Sequence, residues 1–436
     1  MSTATDLKLT QHSYYAASAN EQPQYPTLEG DIEVDVCVVG GGFAGLSSAI
    51  ELADKGYKVA VLEANHIGFG ASGRNGGQII AGLACEIDVI EKSIGFDAAK
   101  QVWNMTLEAL DLVRERVKRF NIHCDLMDGF LGVSVNEKKG KSLRKWFDDM
   151  AKRYGYDADA TWIEPANLQK WIVSPRYFNG YYDKRSGHLH PLNYCLGLAK
   201  GAASLGVQIY QHSAVKQMQQ GETVILKTEK GQIKAKFVVL AGNVYLPEIA
   251  PEIAPKLANR IVPVGTYIIG TEPIDAGLVA KLIPKNAAVC DTNFVLDYFR
   301  FSADKRLLYG GRVSYSAMTP RNLTQSMQAR MAETFPQLKN SKVEYTWGGY
   351  VDITLNRAPD FGRLVNNVYY LQGFSGHGVA LTGLSGKLVA EAISGQAERL
   401  DVFSKIKHHD FPGGKLLRTP ALVLGMAWFQ LRDRLS

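Results

Sequence analysis

DVCVVGGGFAGLSSAIELADKGYKVAVLEA, Asp35 to Ala64, decides how the rest of the chain is read. Val36 to Val39 is a short apolar run rich in β-branched residues, the pattern of a buried strand. Gly40, Gly42 and Gly45 follow at GxGxxG spacing, and Ala44, Leu46, Ala49, Ile50, Leu52 and Ala53 then recur at helical intervals. Gly56 ends that helix, and Val59 to Leu62 predicts a second parallel strand running into Glu63.

Each glycine has a physical task. Gly40 permits a tight turn, Gly42 lets backbone approach a pyrophosphate, and Gly45 lets helix and strand pack closely. The helix N-terminus, with Phe43 and Ala44 in its first turn, offers amide N–H groups to phosphate. Glu63, 23 residues after Gly40 and followed by Ala64, is placed to accept ribose hydroxyls. With strand, helix, second strand and acidic residue in order, the motif predicts an adenine dinucleotide site.

The 436 residues suffice for two domains or one interleaved pair. The formal charge of +6 is small for this length and no Lys/Arg run exceeds two residues, which argues against nucleic acid as a partner. Cys37, Cys85, Cys124, Cys195 and Cys290 are scattered and never in CxxC spacing, so reduced thiols in a cytoplasmic protein are expected and no metal site. No basic start leads into an apolar stretch, so no signal peptide is expected. No apolar run reaches the roughly 18 residues that span a bilayer.

Residues 1–30 are polar and read as an arm anchored by Tyr14 and Tyr15. HIGFGASGRNGGQIIAG then supplies a second glycine-rich stretch, with Gly68, Gly70, Ala71, Ser72, Gly73, Arg74, Asn75, Gly76, Gly77 and Gln78. Such backbone suits a flavin's phosphates and ring better than a nicotinamide. From Glu86 to Tyr154 the periodicity turns helical, with FLGVSV (Phe130 to Val135) as a strand, and this block is expected to pack on its own. Ser186 to Val215 returns to the nucleotide unit through a helix and a strand, and His188 and His190 there read as packing or loop residues. A strand pair follows, ending at Ala241 and Gly242, where backbone can approach a ligand.

Residues 263–346 alternate in the β manner and are crowded with aromatics, predicting an antiparallel sheet over a pocket. Tyr267, Tyr298, Arg300, Arg312 and Trp347 are its candidate substrate contacts, with Tyr298 and Arg300 also candidates for catalysis. GFSGHG, from Gly373 through Gly376, His377 and Gly378, then precedes a helix through Leu381 and Leu388 that stops at Gly395. The positive end of that helix suits the charge on a reduced flavin, and His377 is either a contact there or a brace. Gly348 and Gly373 are placed with the cofactor set. Near the end, Thr419 and Pro420 start an apolar helix flanked by arginines, expected to dock on protein, with membrane-surface contact as the alternative.

With VVGGGFAGLSSA, LEA, GASGRNGGQ, GHLHPLNYCLGLAKGA, FVVLAGN, YGGR and GFSGHGVALT in this order, the chain resembles the glycine, sarcosine and D-amino-acid oxidase superfamily of FAD enzymes. Within it, GASGRNGGQ, LDYFRFSADKRLLYGGR and FPGG…RTP…MAW…LRD are most similar to the gamma-glutamylputrescine oxidoreductases of polyamine breakdown. The resemblance implies an α/β fold, a Rossmann-like FAD-binding domain (31–95, 186–260 and 347–400) interleaved with an antiparallel-sheet substrate domain (96–185 and 261–346). The arm 1–30 and an extension 401–436 complete it.

The resemblance also implies that Gly40, Gly42 and Gly45 bind the pyrophosphate and Glu63 the ribose. Ser72 to Gln78 would run beside pyrophosphate and flavin, and Val215 would meet the adenine. Gly376 to Thr382, including Val379, Ala380 and Leu381, would cup the flavin's pyrimidine edge. Relatives that attach flavin covalently use a histidine where Arg74 stands, or a cysteine within a stretch (Tyr350 to Gly373) that has none, so FAD is expected to be non-covalent. The implied reaction passes hydride from a neutral amine's α-carbon to the flavin, and the resulting imine hydrolyses to aldehyde and ammonia, with peroxide formed if oxygen is the acceptor. The rival readings are an oxidase of D- or N-methyl amino acids, with Arg300 or Arg312 on the carboxylate, and a flavin-binding sensor without turnover.

Overall fold

The computed structural model describes residues 13–293, 295–314 and 322–412. Strand Gly30–Val39 lies between Val59–Leu62 and Gly231–Leu240, parallel to both. Among the described residues this sheet has eight strands, with Gln208–Tyr210 beyond Val59–Leu62 and Val368–Gln372 beyond Gly231–Leu240, again parallel. The predicted strand 36–39 is thus the end of a longer one, and the predicted helix is Phe43–Asp54.

Both faces of the central strand are covered, which is why its apolar run is continuous. Val36 and Val38 pack with Leu46, Ala49 and Ile50 of the first helix and with Leu384 and Leu388 of helix Leu381–Ile393. Cys37 and Val39 face the other way, with Leu62, Val224 and Leu240. Gly40 has φ +115, and a Cβ there would lie 2.6 Å from the Ala241 carbonyl oxygen. A Cβ at Gly45 would lie 1.9 Å from the Gly40 carbonyl oxygen, so only glycine lets the helix sit this close to the strand end.

The block after residue 86 does not pack on its own. Helix Phe96–Arg119 sends Val102, Leu110 and Val113 into the same core as the nucleotide-binding helix. Its Arg116 is buried and donates to Ser47 Oγ (2.7 Å) and to Glu51 Oε1 (2.8 Å). Sequence periodicity shows a helix's apolar face but not which core it joins. Helix Glu137–Tyr154 contributes Phe147 and Met150 to a smaller aromatic cluster with Trp103 and Tyr156.

The second sheet has nine strands among the described residues, in the order Val343–Thr354, Ile261–Thr271, Leu307–Ser314, Tyr298–Phe301, Ala288–Asp291, Met127–Val133, Gly180–His188, Gln78–Ile79, with Ala160–Ile163 also paired to Gly180–His188. All its pairings are antiparallel except Ala288–Asp291 with Met127–Val133. Sheet membership crosses the ranges drawn from sequence at three places. Gln78–Ile79, Gly180–His188 and Val343–Thr354 belong to the second sheet, although residues 78–79, 186–188 and 347–354 fall in the ranges given to FAD binding.

The arm is held by its tyrosines. Tyr14 donates to Asp304 Oδ1 (2.6 Å), and the Tyr15 ring meets Trp347 edge-on with centroids 5.2 Å apart. His188 Nε2 lies 2.7 Å from the Asn286 carbonyl oxygen, and His190 accepts from the Asn193 N–H (3.1 Å), so both serve loops. The five cysteines are unpaired, and among the described residues no helix is long and apolar enough to cross a membrane. The predicted helix from Thr419 lies outside the described residues.

Candidate functional site

A cleft opens at the carboxyl ends of the parallel strands, where Val39, Leu62, Ala241 and Leu371 stand. Ligands of open α/β sheets bind at such ends. One end of the cleft is walled by Gly40, Glu63, Ala64 and Val215, the middle by Gly42, Phe43, Ala44, Gly70, Ala71, Ser72 and Asn75. Ala241 and Gly242 line it as well, and its far end meets Gly376, Gly378, Val379 and Thr382.

The chemistry along this cleft fits FAD. Helix Phe43–Asp54 starts at Gly42 with no side-chain cap, leaving its first turn open to an anion except where Ser72 Oγ accepts from the Phe43 N–H (2.9 Å). Glu63 Oε2 accepts from the Gly41 N–H (2.7 Å) and Oε1 from the Asn65 N–H (2.8 Å), which fixes the carboxylate at the end of the cleft expected to take the adenosine. Burial pushes its pKa up while those backbone donors pull it down. Each carboxylate oxygen has capacity for a further ribose hydroxyl. Asn243, also on the wall, has a buried Oδ1 with no hydrogen-bond partner among the described residues.

At the other end, Asp352 shapes the glycine loop. Its buried carboxylate accepts from the N–H groups of Gly373 and Phe374, and burial raises its pKa to about 6. Ser375 and Gly376 then take positive φ, +52° and +85°. A Cβ on Gly376 would meet nothing within 4 Å, so that glycine leaves open space at the site given to the flavin.

A second cavity shares the walls Ala71, Asn75, Tyr350, Val351, Gly376 and Val379 with the cleft. Its surface is largely apolar, from Val264, Leu296, Tyr298, Val313, Ile353 and Phe411. Arg74 and Arg357 line it, and no Asp or Glu does among the described residues. Arg74, Gly76, Gln78, His377 and Ala380 of the cofactor set face this cavity rather than the cleft. Cys290 lies on its wall with Sγ 3.0 Å from Gln78 Oε1, and burial raises the thiol's pKa, so it stays protonated.

Several expected contacts are elsewhere. Arg300 lines neither cavity; it is buried, and its Nε donates to the Gly76 carbonyl oxygen (2.8 Å) and its Nη2 to the Tyr15 hydroxyl (3.2 Å). Tyr267 is buried in the core of the second sheet, and Trp347 Nε1 donates to the Arg74 carbonyl oxygen (3.0 Å). Alternation turns Tyr267 to the other face of the sheet, whereas Arg300 and Trp347 share a face with the cavity-lining Tyr298 and Gly349 and are covered there by Tyr15 of the arm. The side chain of Arg312 lies outside what the structure describes. Gly45, Gly77, Gly348, Gly373 and Leu381 line neither space. Gly77 packs against the Leu189 carbonyl and Arg300, and Gly348 against the Tyr267 ring.

His377 does line the second cavity, with Nε2 3.2 Å from the carbonyl oxygens of both Ile80 and Ala81. Burial lowers its pKa, so the neutral ring donates Nε2–H to those carbonyls as a brace. Sequence reasoning missed Asn243, Tyr245, Tyr350, Asp352 and Arg357, all wall residues. Only Asp352 carried a signal, an acidic residue inside an apolar strand pattern.

The FAD dependent oxidoreductase family matches residues 35–392. The chain is 46% identical to the gamma-glutamylputrescine oxidoreductase of Escherichia coli (strain K12), over 98% of this chain and all of that one. It is 42% identical to the probable oxidoreductase OrdL of Haemophilus influenzae, over 97% of each. Among solved structures, glycine oxidase from Geobacillus kaustophilus superposes with a TM-score of 0.72 at 20% identity, covering 86% of this chain and 99% of that one. L-proline dehydrogenase from P. horikoshii gives 0.71 at 22%, covering 87% and 98%. From the glycine turn at Gly40 to the helix after Gly378, the chain belongs to the FAD-dependent oxidoreductase family.

Proposed function

We propose that the protein oxidises the free primary amine of gamma-glutamylputrescine to an aldehyde, releasing ammonia, and that it holds FAD without a covalent bond. The observation that carries this reading is the apolar cavity joined to the cofactor cleft through Tyr350, Val351, Gly376 and Val379. A methylene chain is at home there, and the full-length relative of that name supports the choice of amine. Bound FAD supplies the hydride acceptor.

The chain's own residues do the rest. The apolar walls desolvate the amine and lower its pKa, and the charges of Arg74 and Arg357 disfavour an ammonium further. Both effects deliver the neutral amine the reaction needs. His377 and Asp352 both hold the glycine loop in place. The rival D- or N-methyl amino-acid reading placed the carboxylate on Arg300 or Arg312; the Arg300 guanidinium is committed to Gly76 and Tyr15, and the side chain of Arg312 lies outside what the structure describes.

The test is kcat/KM for gamma-glutamylputrescine, putrescine, sarcosine and several D-amino acids, with peroxide assayed alongside aldehyde. Gamma-glutamylputrescine should lead. A set led by sarcosine or a D-amino acid would replace this reading.

A further inference from the structure

Arg357 sits in the turn Thr354–Ala358 with φ +61°, a left-handed conformation that glycine adopts freely and arginine does not. The turn is fixed on all sides. The Arg357 N–H donates to the Thr354 carbonyl (3.1 Å), and Thr354 Oγ1 to the Ala358 carbonyl (2.7 Å). Asn356 Oδ1 accepts from the Ala358 N–H (3.1 Å), and its Nδ2 donates to the Lys407 carbonyl (3.0 Å). A strained residue held by an over-determined frame is a pointer to function. What the frame retains, at a position where glycine would be easier, is a guanidinium on the wall of the second cavity.

The neighbours say which end of a substrate it faces. Leu355, half exposed, lines the same wall, so the turn stands at the cavity's rim. The other cation, Arg74, is almost fully buried, lies 4.5 Å over the Phe69 ring and packs on Gly349, which places it in the floor. With no carboxylate among the described lining residues, a cationic end has no partner at the rim and an anionic end does. The charge of Arg357 reaches inward as well, opposing protonation of His377.

We propose that Arg357 receives the α-carboxylate of the substrate's glutamyl end, making this site selective for amines whose far end carries a carboxylate. The assignment rests on the function proposed above. A planar guanidinium binds carboxylate through two parallel hydrogen bonds, which fixes the register of the chain between rim and flavin. Lysine, a point charge on a flexible stem, would keep only part of that.

The experiment compares gamma-glutamylputrescine with its analogue in which the glutamyl carboxylate is a carboxamide, using the holoenzyme, Arg357→Gly and Arg357→Lys. Wild type should favour the carboxylate by about ten- to a hundredfold in kcat/KM, the scale of a charge-assisted contact. Arg357→Gly should bring that ratio to near one while flavin content is kept and Tm stays or rises, because glycine relieves the strain. Arg357→Lys should fall between. An Arg357→Gly enzyme that keeps the wild-type ratio overturns this assignment alone. A wild type inert towards gamma-glutamylputrescine overturns the proposed function, and this assignment with it.

Discussion

The Nε of Arg300 donates to the carbonyl oxygen of Gly76 at 2.8 Å, so a strand of the second sheet holds the second glycine-rich loop. Its Nη2 reaches Tyr15, which ties in the N-terminal arm as well. Arg300→Leu leaves a buried carbonyl and hydroxyl without that donor, a loss of about 1–3 kcal/mol for each group left unsatisfied. Thermal denaturation should show a lower Tm and flavin should leave more readily. The preference for gamma-glutamylputrescine over putrescine should not change; a collapsed preference would return Arg300 to the substrate site.

Cofactor retention depends on contacts rather than on a bond. Acid precipitation of the wild type should leave the yellow colour in the supernatant, and colour held in the pellet would contradict this. Glu63→Ala removes the carboxylate that the Gly41 and Asn65 amides fix at the adenosine end. FAD titration of the apoprotein should show weaker binding by roughly tenfold or more, the scale of a charged hydrogen bond. Equal affinity would put the ribose elsewhere.

His377 acts on the loop through two carbonyls. His377→Ala should lower Tm and slow flavin reduction by less than about tenfold, since one decade corresponds to ~1.4 kcal/mol and a lost brace shifts geometry only in part. A fall of a hundredfold or more in anaerobic reduction would make the ring a direct contact.

Asp291 gives stability a pH dependence. Burial first, and the charge of Asp297 second, raise its pKa from 3.8 to about 7. The native state therefore binds a proton that the unfolded chain releases, so this group's contribution is full at low pH and is lost as pH rises towards 7. Asparagine can keep the Oδ1 that accepts from the Asn293 and Asp297 amides, 3.0 Å each. The Tm of Asp291→Asn minus that of wild type should increase from pH 4 to pH 7 and level off above. A flat difference would show that Asp291 titrates normally.

Legibility followed the range of the interaction. The turn at Gly40, the packing of Gly45 and the position of Glu63 are local events within one strand–helix–strand unit, and each is encoded where it acts. Helix Phe96–Arg119 was readable as a helix, but its union with the nucleotide core depends on Arg116 meeting Ser47 and Glu51 from far along the chain. The second cavity was less legible still. Tyr298 faces it, whereas Tyr267 lies on the sheet's other face and Arg300 and Trp347, on the same face as Tyr298, are covered by Tyr15, because alternation gives two faces and does not show what packs over each. Arg357 had no signal at all: the role proposed for it rests on a turn conformation that composition cannot show.

The most direct test of the central claim is anaerobic mixing of the purified holoenzyme with gamma-glutamylputrescine while the flavin's visible absorbance is followed. The account predicts complete bleaching in a substrate-dependent phase, about ten- to a hundredfold faster than with putrescine at equal, subsaturating concentration. A flavin that stays yellow with gamma-glutamylputrescine but bleaches with a D-amino acid or sarcosine would contradict it.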